Sequence, residues 1–211
     1  MKRPRCERCE LPLAACLCAA LPVAPIANQW PVHILQHKQE RTHALNTARI
    51  AMLGLQQCQL HAVSDAPVET TLSVAVVASL ASALLIYPGT DSTDVSHLRL
   101  DDVVGRPLLL LDASWRKSRR LLLGSSWLQQ LPRISVALPT PSRYRIRREP
   151  QPGYCSSLEA LCHVLGTLEG DHARYAPLLA AMDLMVEQQI TQMGEATYSR
   201  NYFPGSPVHE A

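Results

Sequence analysis

Short apolar runs alternate with stretches of helical periodicity along most of the chain. The strand-like runs cover residues 32–36, 84–87, 108–111 and 134–138. The helix-like stretches cover residues 45–57, 115–123, 158–168 and 177–193, the last with Pro177 at its first turn. Regular alternation of strand and helix predicts an α/β domain with a mostly parallel sheet. Ligands of such sheets bind beyond the carboxyl ends of the strands, so candidate chemistry is sought directly after each strand.

Composition narrows this picture to one compact domain with a small appendage. The chain has 211 residues, of which 47% are hydrophobic and 18% charged. A net charge of +2 does not by itself indicate a nucleic-acid-binding protein, so any basic surface must come from local clustering. The uncharged run 70–90 contains several Ser and Thr residues and a Pro-Gly pair, which predicts buried core and no membrane span. The basic N-terminus has no apolar segment of signal-peptide length, so we expect a cytoplasmic protein.

Four cysteines near the start are candidate metal ligands. Cys6, Cys9, Cys16 and Cys18 follow the spacing C-x2-C-x6-C-x-C, which can close a tetrahedral Zn²⁺ site. With four protein ligands the zinc would be structural, since no position stays open for water. An iron–sulfur cluster or an unliganded, redox-labile tail are the alternatives. We therefore divide the chain into a zinc knuckle with its linker, residues 1–30, and a catalytic domain, residues 31–211. The three other cysteines are in apolar contexts and are interpreted as small buried hydrophobes.

A carboxylate follows the most apolar strand. Asp112 comes at the end of the 108–111 run, and Ser114 and Trp115 follow as the chain turns into a helix. Asp112 there can act as a general base or as an orienting hydrogen-bond acceptor. Alternatively, Asp112 or Ser114 only caps the helix. Trp115 is either core packing or a stacking face for a base.

Basic residues are concentrated after two of the strands. Arg116, Lys117, Arg119 and Arg120 form the first cluster, and Arg143, Arg145, Arg147 and Arg148 form the second. A solvated helix face normally carries interspersed acids, but these two stretches have none before Glu149. This pattern favours a phosphate-binding face and hence a nucleic-acid partner.

Two further segments could bind a ligand or could simply cap helices. Ser156 and Glu159 have the spacing of a capping box, and the amides of such a helix N-terminus also suit the carboxylate of an amino-acid-like ligand. The polar segment 37–49 precedes another helix, which Thr42 or Asn46 could cap. His37 and His43 in that segment stay ambiguous between packing and chemistry.

These segments together resemble the DTW-domain family, the tRNA-uridine aminocarboxypropyltransferases, which are related to the SPOUT class of RNA-modifying enzymes. The resemblance rests on CERC…CLC, LQHKQERTHALNTARIA, LLIYPG, LLLLDASWRKSRRLL and SRYRIRREPQPGYCSSLEAL, all in the family's order. The Asp-x-Thr-Trp motif of the family stands here as Asp112-Ala113-Ser114-Trp115, which keeps a hydroxyl. The His-Pro pairs of the family are His37-Lys38 and His43-Ala44 in this chain, and its Ser-Thr pair is Ser156-Ser157.

The resemblance implies a specific reaction and fold. The donor would be S-adenosylmethionine, whose 3-amino-3-carboxypropyl group passes to N3 of a tRNA uridine with release of 5′-methylthioadenosine. The sheet would have a SPOUT-like knotted topology. A SPOUT-type RNA methyltransferase and a non-catalytic zinc-bearing RNA-binding module are the alternative functions. The expected partner is tRNA, without a membrane, and the protein would act as a monomer or a homodimer.

The same resemblance suggests roles for individual residues. Asp112 is the predicted base that removes the uridine N3 proton. The predicted cofactor contacts are Pro88, Gly89, Ser114, Trp115, Pro139, Tyr144, Arg145, Ser156 and Ser157. The predicted contacts to tRNA phosphates are Arg116, Lys117, Arg119, Arg120, Arg147 and Arg148.

Overall fold

A six-stranded sheet forms the centre of the molecule in the computed structural model, which describes residues 4–41, 43, 45–64, 67–146 and 155–202. The strands are β1 (Val32–His37), β2 (Cys58–Val63), β3 (Leu84–Ile86), β4 (Ser92–Asp94), β5 (Leu108–Asp112) and β6 (Arg133–Ser135). They lie in the order β2-β1-β5-β3-β6-β4, and every neighbouring pair is parallel. The prediction of a mostly parallel α/β sheet is confirmed, and all strands end at one edge.

Helices follow most of the strands. They are α1 (Thr47–Gly54), α2 (Val74–Ser79), α3 (Leu100–Val103), α4 (Trp115–Leu123), α5 (Ser126–Gln130), α6 (Ser157–Glu169), α7 (Ala176–Met193) and α8 (Glu195–Tyr202). The predicted helix at 115–123 is confirmed with its bounds, and Pro177 does lie in the first turn of α7. The predicted helix at 45–57 is shorter in the structure, because Leu55 is extended and the Gln56 amide donates to the Ile26 carbonyl.

Helices cover both faces of the sheet, which explains the unbroken run of four leucines in β5. Leu108 and Leu110 belong to one apolar cluster, together with residues of α1, α6 and α7. Leu109 and Leu111 belong to a second cluster on the opposite face, together with residues of α4 and α5. Alternate residues of a strand face opposite sides, so a strand covered on both sides is apolar throughout. Each fully buried leucine contributes about 1.5–3 kcal/mol of transfer free energy.

The cysteine-containing head packs on the first of these clusters. Cys9, Leu11, Leu17 and Leu21 are all buried and belong to the same apolar cluster as α6 and α7. The head therefore shares a core with the sheet domain, and its position is fixed relative to α7. This contact places the head beside the loop that leads from β1 into α1.

The uncharged run 70–90 folds into α2, β3 and the segments that join them. Leu80, Leu84 and Leu85 from this run are buried. Within the described part of the chain, no helix is both long and apolar enough to cross a membrane.

Candidate active site and cysteine cluster

Three strands bring candidate residues to one edge of the sheet. Asp112 of β5 is the register partner of Gln36 in β1. On its other side β5 pairs with β3, with Leu110 opposite Ile86. Strand β3 ends at Ile86, and Pro88 and Gly89 follow it, whereas Asp112 is the last residue of β5. Since the two strands are parallel, Pro88 and Gly89 follow β3 at the same carboxyl edge at which β5 ends with Asp112.

The Asp112 carboxylate is held by a neighbouring strand. Gln36 Nε2 donates to Asp112 Oδ2 at 2.8 Å and to Asn46 Oδ1 at 2.9 Å. Gln36 is 2% exposed, whereas Asp112 is half-buried. Asn46 caps α1 by accepting from the Arg49 amide, which confirms the capping role considered for it. One buried amide thus fixes both the carboxylate and the start of α1.

Ser114 and Trp115 lie directly beyond the carboxylate. Ser114 has the N-cap position of α4, but its side chain makes no capping hydrogen bond. Both residues are half-buried, so the hydroxyl and the indole lie near the surface of the same edge. The structure therefore does not show the capping role considered for the Ser114 side chain, and the cofactor contact of this hydroxyl stays a prediction.

The loop after β3 is fixed by an ion pair. Arg133 Nη2 lies 3.0 Å from Asp91 Oδ2, across the base of this loop. A Cβ added at Gly89 would lie 3.3 Å from Arg133 Nη1, so the glycine lets the guanidinium approach the backbone. Pro139, in the segment that follows β6, is exposed.

A buried carboxylate anchors the segment after β6. Glu159 of α6 is 4% exposed and accepts from the Ser142 hydroxyl, the Arg143 amide and the Ser156 amide. Ser156 Oγ in turn accepts from the Glu159 amide, so the predicted capping box is present. The Ser156 side chain is therefore used within the protein, and half-buried Ser157 begins the helix behind it. These contacts hold the 142–146 segment against the N-terminus of α6.

Two other predicted cofactor contacts of this segment point into the protein's own structure. The Tyr144 side chain is 6% exposed, and its hydroxyl donates to the Leu45 carbonyl at 3.2 Å. Arg145 forms an ion pair with Glu187 of α7, and this hydrogen bond raises the pKa of the Arg145 guanidinium. Tyr144 thus connects the segment to the loop before α1, and Arg145 connects it to α7.

The structure describes four of the six predicted phosphate contacts, all on helix α4. Arg116, Arg119 and Arg120 of α4 are exposed. Lys117 instead lies 3.2 Å from Glu40 Oε1, in a half-buried ion pair between α4 and the loop after β1. Arg147 and Arg148 lie outside the described residues.

The four head cysteines form a cluster with the dimensions of a zinc site. Their Sγ atoms all lie within 4.8 Å of one another. Cys6 Sγ lies 3.6 Å from Cys18 Sγ, and Cys9 Sγ lies 3.7 Å from Cys16 Sγ. A tetrahedron of sulfurs at about 2.3 Å from a central Zn²⁺ has edges of about 3.8 Å, so the cluster fits zinc. Hydrogen bonds from the Cys9 and Arg8 backbones lower the pKa of Cys6 to about 6.

We expect the purified protein to contain close to one zinc ion per chain, measured by inductively coupled plasma mass spectrometry. The double variant Cys9→Ser/Cys16→Ser should lose the metal, because two oxygens replace two thiolates of the tetrahedron. Half-buried Cys155 lies outside the cluster, so Cys155→Ser is the control and should keep its zinc. Full zinc content in the double variant would contradict this assignment.

Sequence reasoning missed three polar residues of the site. The sequence patterns indicate Gln36 only as part of a strand, Glu40 as part of a polar segment, and Glu159 only as half of a capping box. The position of Gln36 offered one signal, since a polar residue at the end of an otherwise apolar strand reaches the carboxyl edge. The hydrogen bond between Gln36 and Asp112 has no signal in the sequence, because the two residues are 76 positions apart.

Similar proteins agree on one family. The DTW-domain family model matches residues 3–190. The tRNA-uridine aminocarboxypropyltransferase 2 of Mus musculus is 26% identical over 204 residues, which cover 95% of this chain and 68% of that protein. The protein of the same name from Drosophila melanogaster is 30% identical over 172 residues, covering 80% of this chain and 68% of that protein.

The comparison with solved structures gives a weaker likeness, on which the family assignment does not rest. The SAM-dependent rRNA:acp-transferase Tsr3 from Vulcanisaeta distributa has a TM-score of 0.46 and 16% identity, with 82% of each chain covered. The family match itself extends from the cysteine-containing head almost to the end of α7. The chain therefore belongs to the DTW-domain family.

Proposed function

We propose that this protein is a tRNA-uridine aminocarboxypropyltransferase that uses S-adenosylmethionine. Its relatives in the family carry that activity in their names. The observation that carries the proposal is the half-buried Asp112 carboxylate, held by Gln36 at the edge where all six strands end. A carboxylate fixed in this place is suited to accept a proton from a nucleobase bound at the edge.

The residues at this edge fit S-adenosylmethionine chemically. The sulfonium and ammonium groups are cationic, and the Asp112 carboxylate is an anion on the same surface. Half-buried Tyr87 and Trp115 offer aromatic faces for the adenine ring. The other proposed contacts are Pro88 and Gly89 after β3, Ser114 after β5, Pro139 after β6 and Ser157 at the start of α6. In this proposal Tyr144, Arg145 and Ser156 contribute by holding the 142–146 segment and the N-terminus of α6 in position.

Asp112 takes the proton from uracil N3 onto a carboxylate oxygen, so that the N3 lone pair is available for the new N–C bond. When bound, S-adenosylmethionine supplies the 3-amino-3-carboxypropyl group and leaves as 5′-methylthioadenosine. Gln36 keeps the carboxylate aligned by donating to Oδ2. Holding N3 in line with one carbon of the donor decides which group is transferred, so selectivity follows from position.

Helix α4 connects this chemistry to RNA binding. It begins at Trp115, three residues after Asp112, and presents the exposed side chains of Arg116, Arg119 and Arg120. On a helix that begins directly after the Asp112 strand, these guanidinium groups would bind phosphates of the tRNA near the target uridine. Lys117 belongs to the same surface and is oriented by Glu40.

We also infer the knotted topology. The chain leaves β6 near one side of the sheet, yet α6 packs against β5 and α1. This return of α6 to the centre of the sheet is what we offer in support of the SPOUT-like knot that the family resemblance implies.

Isotope transfer tests the proposal directly. The protein is incubated with unmodified tRNA and S-adenosylmethionine labelled either in the methyl or in the carboxyl carbon. We expect carboxyl label in the RNA and methyl label in 5′-methylthioadenosine. Methyl label in the RNA would instead identify a methyltransferase. No label in the RNA from either sample, with tRNA bound, would indicate a binding module.

A further inference from the structure

A groove of about 610 Å³ runs between the cysteine-containing head, the loop after β1 and helix α7. Its polar lining includes Arg5, Arg41, His43, Arg49, Gln188 and Gln192, and we call it the knuckle groove. Leu11 and Pro12 of the head form one wall, and Met185 lies in the opposite wall. None of these residues belongs to the catalytic edge described above.

Positive charge dominates the knuckle groove. Three guanidinium groups line it, from Arg5, Arg41 and Arg49, against one carboxylate, from Glu10. Arg49 is 3.7 Å from that carboxylate and also donates to the Cys9 carbonyl. Arg5 and Arg41 are exposed. The groove therefore keeps a surplus of positive charge and fits a polyanion.

The α7 side of the knuckle groove offers hydrogen bonds of a different kind. Gln188, Gln189 and Gln192 present amides along one helix face, since the first and last are four residues apart. His43 faces them from the loop after β1. Amides both donate and accept, so they suit ribose hydroxyls and base edges, which an acidic peptide lacks. Cations on one side and amides on the other match the two faces of a nucleotide chain.

The knuckle groove is joined to the catalytic edge by a short hydrogen-bonded path. Asn46 Nδ2 donates to the Arg41 carbonyl, and Arg49 Nη2 donates to the same oxygen. Asn46 also accepts from Gln36, which holds Asp112. The residues that shape the groove and the carboxylate thus belong to one loop and one helix start.

We propose that the knuckle groove binds the RNA backbone of the tRNA substrate, as a second contact surface beside the arginines of α4. This inference rests on the proposed function for the identity of the RNA. The α4 arginines hold phosphates on one side of the target uridine, and the groove holds nucleotides on the other side of the loop after β1. The zinc knuckle is one wall of the groove, so it contributes to RNA binding by position.

Salt-dependent titration of tRNA tests the groove. The full-length parent, Arg5→Ala/Arg41→Ala and the control Arg8→Ala/Arg99→Ala are titrated with unmodified, fluorescently labelled tRNA between low and physiological salt. The control removes the same charge from exposed arginines that do not line the groove. We expect the groove variant to bind on the order of tenfold more weakly, and its salt slope to fall by about 1–2. The control should stay within about twofold of the parent.

A second variant separates hydrogen bonding from charge. Gln188→Ala/Gln192→Ala should weaken tRNA binding a few-fold without changing the salt slope, because it removes no cation. Equal affinities of parent, groove variant and control would overturn the proposal, as would equal losses in groove variant and control. Displacement of the tRNA by polyglutamate at matched charge would point to an acidic protein partner and would also overturn it.

The proposed function has a different readout. Transfer of the carboxyl label by the parent protein tests the proposed reaction, whereas the tRNA titration tests only the role of the groove. If the parent transfers label and the groove variant binds tRNA as the control does, the proposed RNA-binding role of the groove is wrong and the proposed transferase activity is supported. If the parent binds tRNA without transferring label and the groove variant loses affinity for tRNA, the proposed transferase activity is wrong and the RNA-binding role of the groove is supported.

Discussion

Asp112→Asn is expected to lower the rate of aminocarboxypropyl transfer by roughly 10²- to 10⁴-fold, the contribution typical of a positioned general base. The amide cannot take the uridine N3 proton at neutral pH. Its oxygen can still accept from Gln36, so the local hydrogen bonding is kept. The measurement is single-turnover transfer of carboxyl label to tRNA, with S-adenosylmethionine affinity followed by calorimetry. Affinity for S-adenosylmethionine is expected to change by less than about tenfold, since one charge contact is lost.

Two companion variants make that result specific. Asp102→Asn removes an exposed carboxylate of α3 and should retain the parental rate. Gln36→Met removes the donor to Asp112 Oδ2, which should raise the pKa of the carboxyl group and move the acidic limb of the rate profile to higher pH. A merely structural role for Gln36 would lower the rate equally at every pH. Normal turnover by Asp112→Asn with the cofactor bound would refute the base assignment.

The layered core explains which parts of the fold the sequence could predict. The β5 leucines and helix α4 have strong local patterns, and both were predicted with nearly their observed bounds. Strand β4, with the residues Ser-Thr-Asp, has no apolar run and lies at the sheet edge, so no periodicity marked it. Strand β2 has only a buried valine at its end and was also missed. Short edge elements form because a neighbouring strand offers partners, which a local pattern cannot show.

The candidate site divides in the same way. The residues that follow strands, such as Asp112 and Pro88, could be predicted because parallel strands end at one edge. The roles of Tyr144 and Arg145 could not, since each depends on a partner far along the chain, at Leu45 and Glu187 respectively. For the same reason the knuckle groove has no sequence signature, as it joins residues near position 5 with residues near position 190.

Glu159→Ala is expected to lower the free energy of unfolding by about 3 kcal/mol and to weaken S-adenosylmethionine binding on the order of tenfold. The carboxylate is 4% exposed, and its removal leaves the Arg143 and Ser156 amides and the Ser142 hydroxyl without this acceptor. The segment that carries Tyr144 and Arg145 would then lose its anchor on α6. Urea unfolding and calorimetry measure the two effects.

Graded variants connect the size of the effect to the number of hydrogen bonds. Ser142→Ala removes one of the three donors to Glu159 and should lower the free energy of unfolding by about 1 kcal/mol. Glu159→Gln keeps one acceptor oxygen, so its loss of unfolding free energy should lie between those of Ser142→Ala and Glu159→Ala. The control Glu195→Ala, at an exposed position of α8, should be as stable as the parent. If Glu159→Ala unfolded like the parent, the carboxylate would not be the anchor. If only its stability fell while cofactor affinity held, the 142–146 segment would form no part of the cofactor site.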